Sequence, residues 1–107
     1  MKRYEMIKRN EDFQEVFKAK KFKTNSLFTI YKLSYPQSYP QFGIAIKKSF
    51  GSAVDRNRIK RQIRNIIDNN KMLFQKQYRY IIMVKNACNN KTFEELNKNL
   101  TSLIKEI

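Results

Sequence analysis

Residues 42–64 read Phe42-Gly43-Ile44-Ala45-Ile46-Lys47-Lys48-Ser49-Phe50-Gly51-Ser52-Ala53-Val54-Asp55-Arg56-Asn57-Arg58-Ile59-Lys60-Arg61-Gln62-Ile63-Arg64, and the period of their apolar residues changes once. From Phe42 to Lys47 the side chains alternate. Phe42, Ile44 and Ile46 share one face, and Gly43, Ala45 and Lys47 share the other, which predicts a strand. Beyond Gly51 the period becomes helical: Ile59, Ile63, Ile66 and Ile67 fall within a narrow arc at about 100° per residue. Ser52, followed three residues later by Asp55, is a capping box that starts this helix at Ala53. It is expected to run to about Asn70.

The flanking sequence supplies the remaining elements. Upstream, Asn10-Glu11-Asp12-Phe13 reads as a helix start. Asn10 is the cap, and two acids sit in the positive first turn. Phe13, Val16 and Phe17 give that short helix an apolar edge, and Lys18-Ala19-Lys20-Lys21-Phe22-Lys23 closes it in positive charge. Thr24-Asn25-Ser26 is turn chemistry. Leu27–Leu33 alternates as a strand, with Phe28 and Ile30 on one face and Thr29 and Tyr31 on the other. Pro36 and Pro40 place Ser34–Gln41 in a loop, so the two strands are expected to pair as a β-hairpin. Downstream, Tyr80–Val84 is a buried third strand. Thr92 and Glu95 form a second capping box before a final amphipathic helix bearing Phe93, Leu96, Leu100, Leu103, Ile104 and Ile107. The order α-β-β-α-β-α predicts one α+β domain over residues 1–107, a sandwich of helices on a small mixed sheet.

Charge sets the class of partner. The chain carries 23 Lys and Arg against 9 Asp and Glu, formally +14, with no His and one Cys. Such an excess repels itself and favours a polyanion as partner. The charge is also concentrated. Arg56, Lys60 and Arg64 fall at i, i+4 and i+8 on one helix, Asn57 and Arg61 widen that side, and Arg58 points away from it. Four of the seven arginines lie within nine residues, and the guanidinium fork suits phosphate. The competing interpretation is a solvated charged face, but like charges at this spacing destabilise a lone helix, which phosphate would relieve. A membrane surface would want Trp, Phe or Leu opposite the basic face; isoleucine stands there, where the core needs it. The start of the chain has no apolar run of signal-peptide kind, and Tyr80–Val84 is too short to span a bilayer. Cys88 alone offers no intrachain disulfide or Cys cluster, and without His most zinc sites and His catalysis are excluded. Glu11, Asp12, Asp55, Glu94 and Glu95 all lie at helix starts, where capping explains them. No catalytic and no metal-binding residue is expected, and a cytoplasmic location fits.

The run from Lys48 to Arg64, with Arg56-Asn57-Arg58 followed by Ile59-Lys60-Arg61 and Arg64, resembles the signature of the bacterial ribonuclease P protein family. Asn10–Lys18 and Phe28-Thr29-Ile30-Tyr31 agree in position. The resemblance implies a protein subunit without activity of its own, bound to a catalytic RNA that uses Mg²⁺ to remove the 5′ leader of precursor tRNA. It implies a leader cleft lined by Phe13, Phe17, Thr29, Tyr31, Ala45 and Lys47, edged by Lys48, Ser49, Arg56, Lys60 and Arg64. It also implies that Arg56, Asn57, Arg58 and Arg61 face the catalytic RNA. No obligate protein partner and no membrane are expected. A left-handed crossover through the basic helix is implied as well, against the general right-handed rule. Two positions depart from the family pattern. Ser49 follows Lys47-Lys48 where two basic residues usually follow a small one, and Ala45 replaces a common hydroxyl residue.

The aromatics suit a single strand independently of the resemblance, because unpaired bases stack on such rings. By themselves, though, Phe13 and Phe17 read more readily as core residues closing the sheet. The alternative function is a plain RNA-binding module, such as a small ribosomal protein. Sequence-specific DNA binding lacks a helix-turn-helix or a dimer seam.

Overall fold

The hydrophobic run of residues 78–84 determines the topology. Tyr80, Ile81, Ile82 and Val84 are all buried, so this strand needs cover on both faces and takes an interior place in a sheet. The structure, a computed structural model, describes residues 1–107. Its elements are α1 (Asn10–Lys18), β1 (Phe22–Thr24), β2 (Phe28–Ser34), β3 (Gln41–Ile46), α2 (Ala53–Asn69), β4 (Tyr78–Val84) and α3 (Phe93–Ile104). The sheet order is β1-β2-β4-β3, with β3 parallel to β4 and the other pairs antiparallel.

Three expectations are corrected here. β2 and β3 do not form a hairpin, because β4 lies between them. Strands next to each other in sequence usually pair, but β4 is the strand buried on both faces, and the proline-bearing loop carries the chain past it. The true hairpin is β1–β2, with Phe22 opposite Tyr31 and Thr24 opposite Thr29. β1 was hidden because all three of its residues are exposed and no burial pattern marks it. At α1, Asn10 is the first helical residue and Arg9 takes the cap position without a side-chain bond. The Arg9 carbonyl already accepts the Asp12 and Phe13 amides, so Asn10 has no capping role. In α3, Phe93 is exposed instead of core-facing, and Ile107 packs on the core from beyond the helix end.

One sheet face, bearing Phe28, Ile30, Phe42, Tyr80, Ile82 and Val84, packs against Ile59, Ile63, Ile66 and Ile67 of α2 and Leu96, Leu100, Leu103 and Ile104 of α3. Each such side chain contributes about 1.5–3 kcal/mol on burial. This packing fixes α2 behind β3, with its polar side turned outward.

Both capping boxes form as expected. Hydrogen bonds from the Ser52 hydroxyl and amide, with Arg58 beyond them, hold the Asp55 carboxyl below its ordinary pKa. The Thr92 amide and hydroxyl do the same for Glu95. A lowered folded-state pKa gives stability that is present above the unfolded value and is lost as pH falls through the folded one. The thermal midpoint should therefore drop as pH falls below about 4. In Asp55→Asn/Glu95→Gln that drop should be shallower, as measured by circular dichroism. An unchanged slope would show that the caps do not carry it.

Candidate nucleic-acid interface

The sheet register arranges the second face in rows that run across the strands. One row is Gly43–Ile81–Tyr31–Phe22, and its neighbour is Ala45–Met83–Thr29–Thr24, each from β3 through β4 and β2 to β1. The helix α1 lies across the first row. Phe13 sits on Gly43, where a Cβ would come within 2.6 Å of the ring. Val16 packs with buried Ile81, and Phe17 meets Tyr31 edge to face with ring centroids 4.8 Å apart. Arg79, one position further along β4 on the same face, anchors the start of the helix. Its guanidinium pairs with Asp12 at 3.2 Å, donates to the Gln41 side-chain oxygen at 2.9 Å and stacks on Tyr35 at 3.6 Å.

Since α1 covers the first row, the second forms the floor of a groove along the helix. Phe13, Phe17 and Tyr31 border it half-buried, neither sealed nor free. Met83 and Ala45 are half-buried on the floor. Thr29 also lies there but is nearly fully buried, its hydroxyl 2.9 Å from that of Thr24. Lys85 closes over this end by donating to the Thr24 hydroxyl, so Thr24 and Lys85 present the surface expected of Thr29.

The basic residues meet the groove at its β3 end. Lys60 and Arg64 border a hollow of about 100 Å³ together with Phe13, Gly43 and Ile44. Arg56 is half-buried, with its guanidinium donating to the Gly51 carbonyl at 2.6 Å and to that of Lys48. Lys47, Lys48 and Ser49 are exposed beside it, and Ser49 accepts a bond from Asn86 at 3.2 Å. Asn57, Arg58 and Arg61 are exposed on the outer side of α2. The fold thus brings Phe13, Phe17, Tyr31, Ala45, Lys60 and Arg64 to one groove and separates them from Arg58 and Arg61. Arg58 is already paired with Asp55 at 3.0 Å, whereas Arg61 has no such partner.

The sequence reading missed Met83, Thr24 and Lys85. Met83 was masked by a continuous apolar run that concealed which of its residues faced the groove. Thr24 and Lys85 depend on the β1–β2–β4 register, which the expected hairpin excluded. Gly43 carried an available signal, since a glycine inside a strand often marks close backbone approach.

The chemistry on offer is binding. No group of three or more Asp, Glu or Cys side chains converges as a metal site. The Cys88 thiol is buried against the Leu27 carbonyl, and burial pushes its pKa up to about 11, which disfavours the nucleophilic thiolate.

A family model described as Ribonuclease P matches residues 1–107. Among curated relatives, the ribonuclease P protein component of Mesoplasma florum is 38% identical over 105 residues, covering 97% of this chain and 96% of that protein. That of Bacillus pumilus is 36% identical over 107 residues, covering 99% and 90%. A solved ribonuclease P protein from Thermotoga maritima superposes with a TM-score of 0.87 at 27% identity, covering 96% of this chain and 97% of the other. One from Staphylococcus aureus gives 0.87 at 27% identity, covering 95% and 94%.

Proposed function

This chain belongs to the ribonuclease P protein family, and we propose that its groove along α1 holds the 5′ leader of precursor tRNA while the outer side of α2 holds the catalytic RNA. As a member it is the protein subunit of a ribonucleoprotein endoribonuclease that matures tRNA 5′ ends, working with the ribonuclease P RNA and precursor tRNA. Phe13, Phe17 and Tyr31 offer ring edges and faces for bases. Thr29 supports the floor beside Ala45. Lys47, Lys48, Ser49, Arg56, Lys60 and Arg64 receive the leader phosphates where it enters. Asn57, Arg58 and Arg61, with Arg56 between the two surfaces, contact the catalytic RNA.

The observation that carries this reading is the separation of the two basic sets. Lys60 and Arg64 border a hollow beside the groove, while Arg58 and Arg61 are exposed elsewhere. Mg²⁺, which usually binds through phosphates, waters and one or two carboxylates, is assigned mainly to the RNA subunit. No helix is long and apolar enough to cross a membrane, and the cytoplasm, where tRNA precursors are made, is the proposed location. All 107 residues are proposed to act as one unit.

The test compares substrates with and without a leader on the reconstituted holoenzyme. Tyr31→Ala should weaken binding of leader-bearing substrate by about 1–3 kcal/mol, the worth of one stacked base, and leave assembly with the catalytic RNA intact. Arg61→Ala should lower the salt slope of assembly by about one unit. Arg58→Ala should lower it by less, since Asp55 already offsets that charge. Equal effects of Tyr31→Ala on both substrates would refute the assignment and favour a generic RNA-binding module.

A further inference from the structure

The aromatic row does not stop at the groove. Phe22 on the edge strand β1 continues it, with ring centroids 5.3 Å from Tyr31, which in turn meets Phe17 at 4.8 Å. Unlike those two rings, Phe22 is 51% exposed. Lysines flank it: Lys20, Lys21, Lys23 and Lys32 border one hollow at the sheet edge with Phe22, Ile30 and Ile107, and Glu106 is the single acidic side chain among its lining residues. Lys21 and Lys23 alternate to the face of β1 opposite the Phe22 ring. None of these lysines forms a salt bridge with an acidic side chain.

Edge strands commonly carry lysine to prevent pairing with other chains, and this accounts for Lys21 and Lys23. It does not account for Phe22, since a large apolar ring is what a guarded edge leaves out. Nor does it account for Lys20. That residue has φ 54°, the left-handed position after α1 where glycine is favoured, so a charge is placed there against backbone preference. An exposed ring amid unpaired cations is the pattern of a single-stranded nucleic-acid platform.

We propose that β1 is a second RNA-binding platform. There Phe22 stacks a base, and Lys20, Lys21 and Lys23 hold the phosphates, of the distal part of the 5′ leader after it leaves the groove. This rests on the leader assignment above and extends it. The direction follows from the sheet. β3 borders the Lys60 and Arg64 stripe of α2, where the leader is assigned to enter from the scissile bond, and β1 is the opposite edge. A leader crossing the floor from β3 reaches the β1 edge last, at Thr24 and then Phe22 in the adjacent row.

The experiment measures holoenzyme affinity for precursor tRNAs with leaders of graded length. Phe22→Ala should lose about 5- to 140-fold for long leaders, the range of one base stack, and nothing for leaders that end within the groove. Phe22→Leu, which keeps an apolar contact with Tyr31, should show the same loss at an unchanged melting temperature. Lys20→Gln/Lys21→Gln/Lys23→Gln should lower the salt slope for long leaders by about two units, as expected for single strands. Should Tyr31→Ala show a leader effect while Phe22→Leu shows none at any length, the platform is wrong and the groove assignment stands. If neither residue responds to the leader, the groove assignment fails as well. A Phe22→Leu loss that also appears with leaderless substrate would assign the platform to the catalytic RNA and overturn the proposal.

Discussion

Asp12→Ala is expected to destabilise the protein by about 2–3 kcal/mol, among the largest effects of any single polar substitution in this chain. Arg79 is almost wholly buried, and Asp12 is the only carboxylate paired with it. Removing one member of a fully buried pair costs about 3–5 kcal/mol because the other charge is left desolvated. Here the cost is smaller, because Arg79 keeps its bond to Gln41 and its stack on Tyr35. For a domain of this size such a loss lowers the melting temperature by about 4–8 °C per kcal/mol. Arg79→Met should cost less than Asp12→Ala, since the thioether chain replaces the buried charge with apolar packing, while Asp12 remains in the positive first turn of α1. The double variant Asp12→Ala/Arg79→Met should then be more stable than Asp12→Ala alone, a non-additivity that a thermodynamic cycle reads directly. Additive losses would show that the two side chains do not act as a pair.

That pair also marks where the sequence ceases to be readable. Both capping boxes, the isoleucine face of α2 and the leucine face of α3 are local patterns; α2 appears within a residue of its expected bounds, and α3 starts where expected but ends three residues before Ile107. The half-buried stripe of Arg56, Lys60 and Arg64 was equally legible, because helical spacing fixes which side chains share a face, but Asn57 and Arg61, read as widening that stripe, are exposed with Arg58 on the outer side. The pairing of strands was not. Nothing local to Phe28–Ser34 or Gln41–Ile46 states that residues 78–84 will come between them. The one clue was the absence of alternation in β4, which belongs to an interior strand. The groove floor inherits this limit, for Met83 reaches it only because β4 lies between Thr29 and Ala45. Arg79 likewise read as one more cation of a basic chain, and its role follows only from burial beneath α1.

Gly43 controls how the next residue of that helix, Phe13, packs on the sheet, and there the expected loss is in binding as much as in stability. A Cβ at this position would lie 2.6 and 2.7 Å from two carbons of the Phe13 ring, closer than packed carbons tolerate. Gly43→Ala must either swing the ring into the groove or lift α1 from the sheet. Overpacking of this kind costs about 1–3 kcal/mol, and both responses disturb the space between Phe13 and the floor residue Ala45. Leader-bearing substrate should therefore bind no better than leaderless substrate, while assembly through Arg58 and Arg61 is unchanged. The double variant Gly43→Ala/Phe13→Leu separates packing from recognition, because the smaller side chain relieves the contact but offers no ring for a base. It should regain most of the lost stability and little of the leader-dependent affinity. Recovery of both together would mean that Phe13 merely fills space, and that the bases are read by Phe17 and Tyr31 alone.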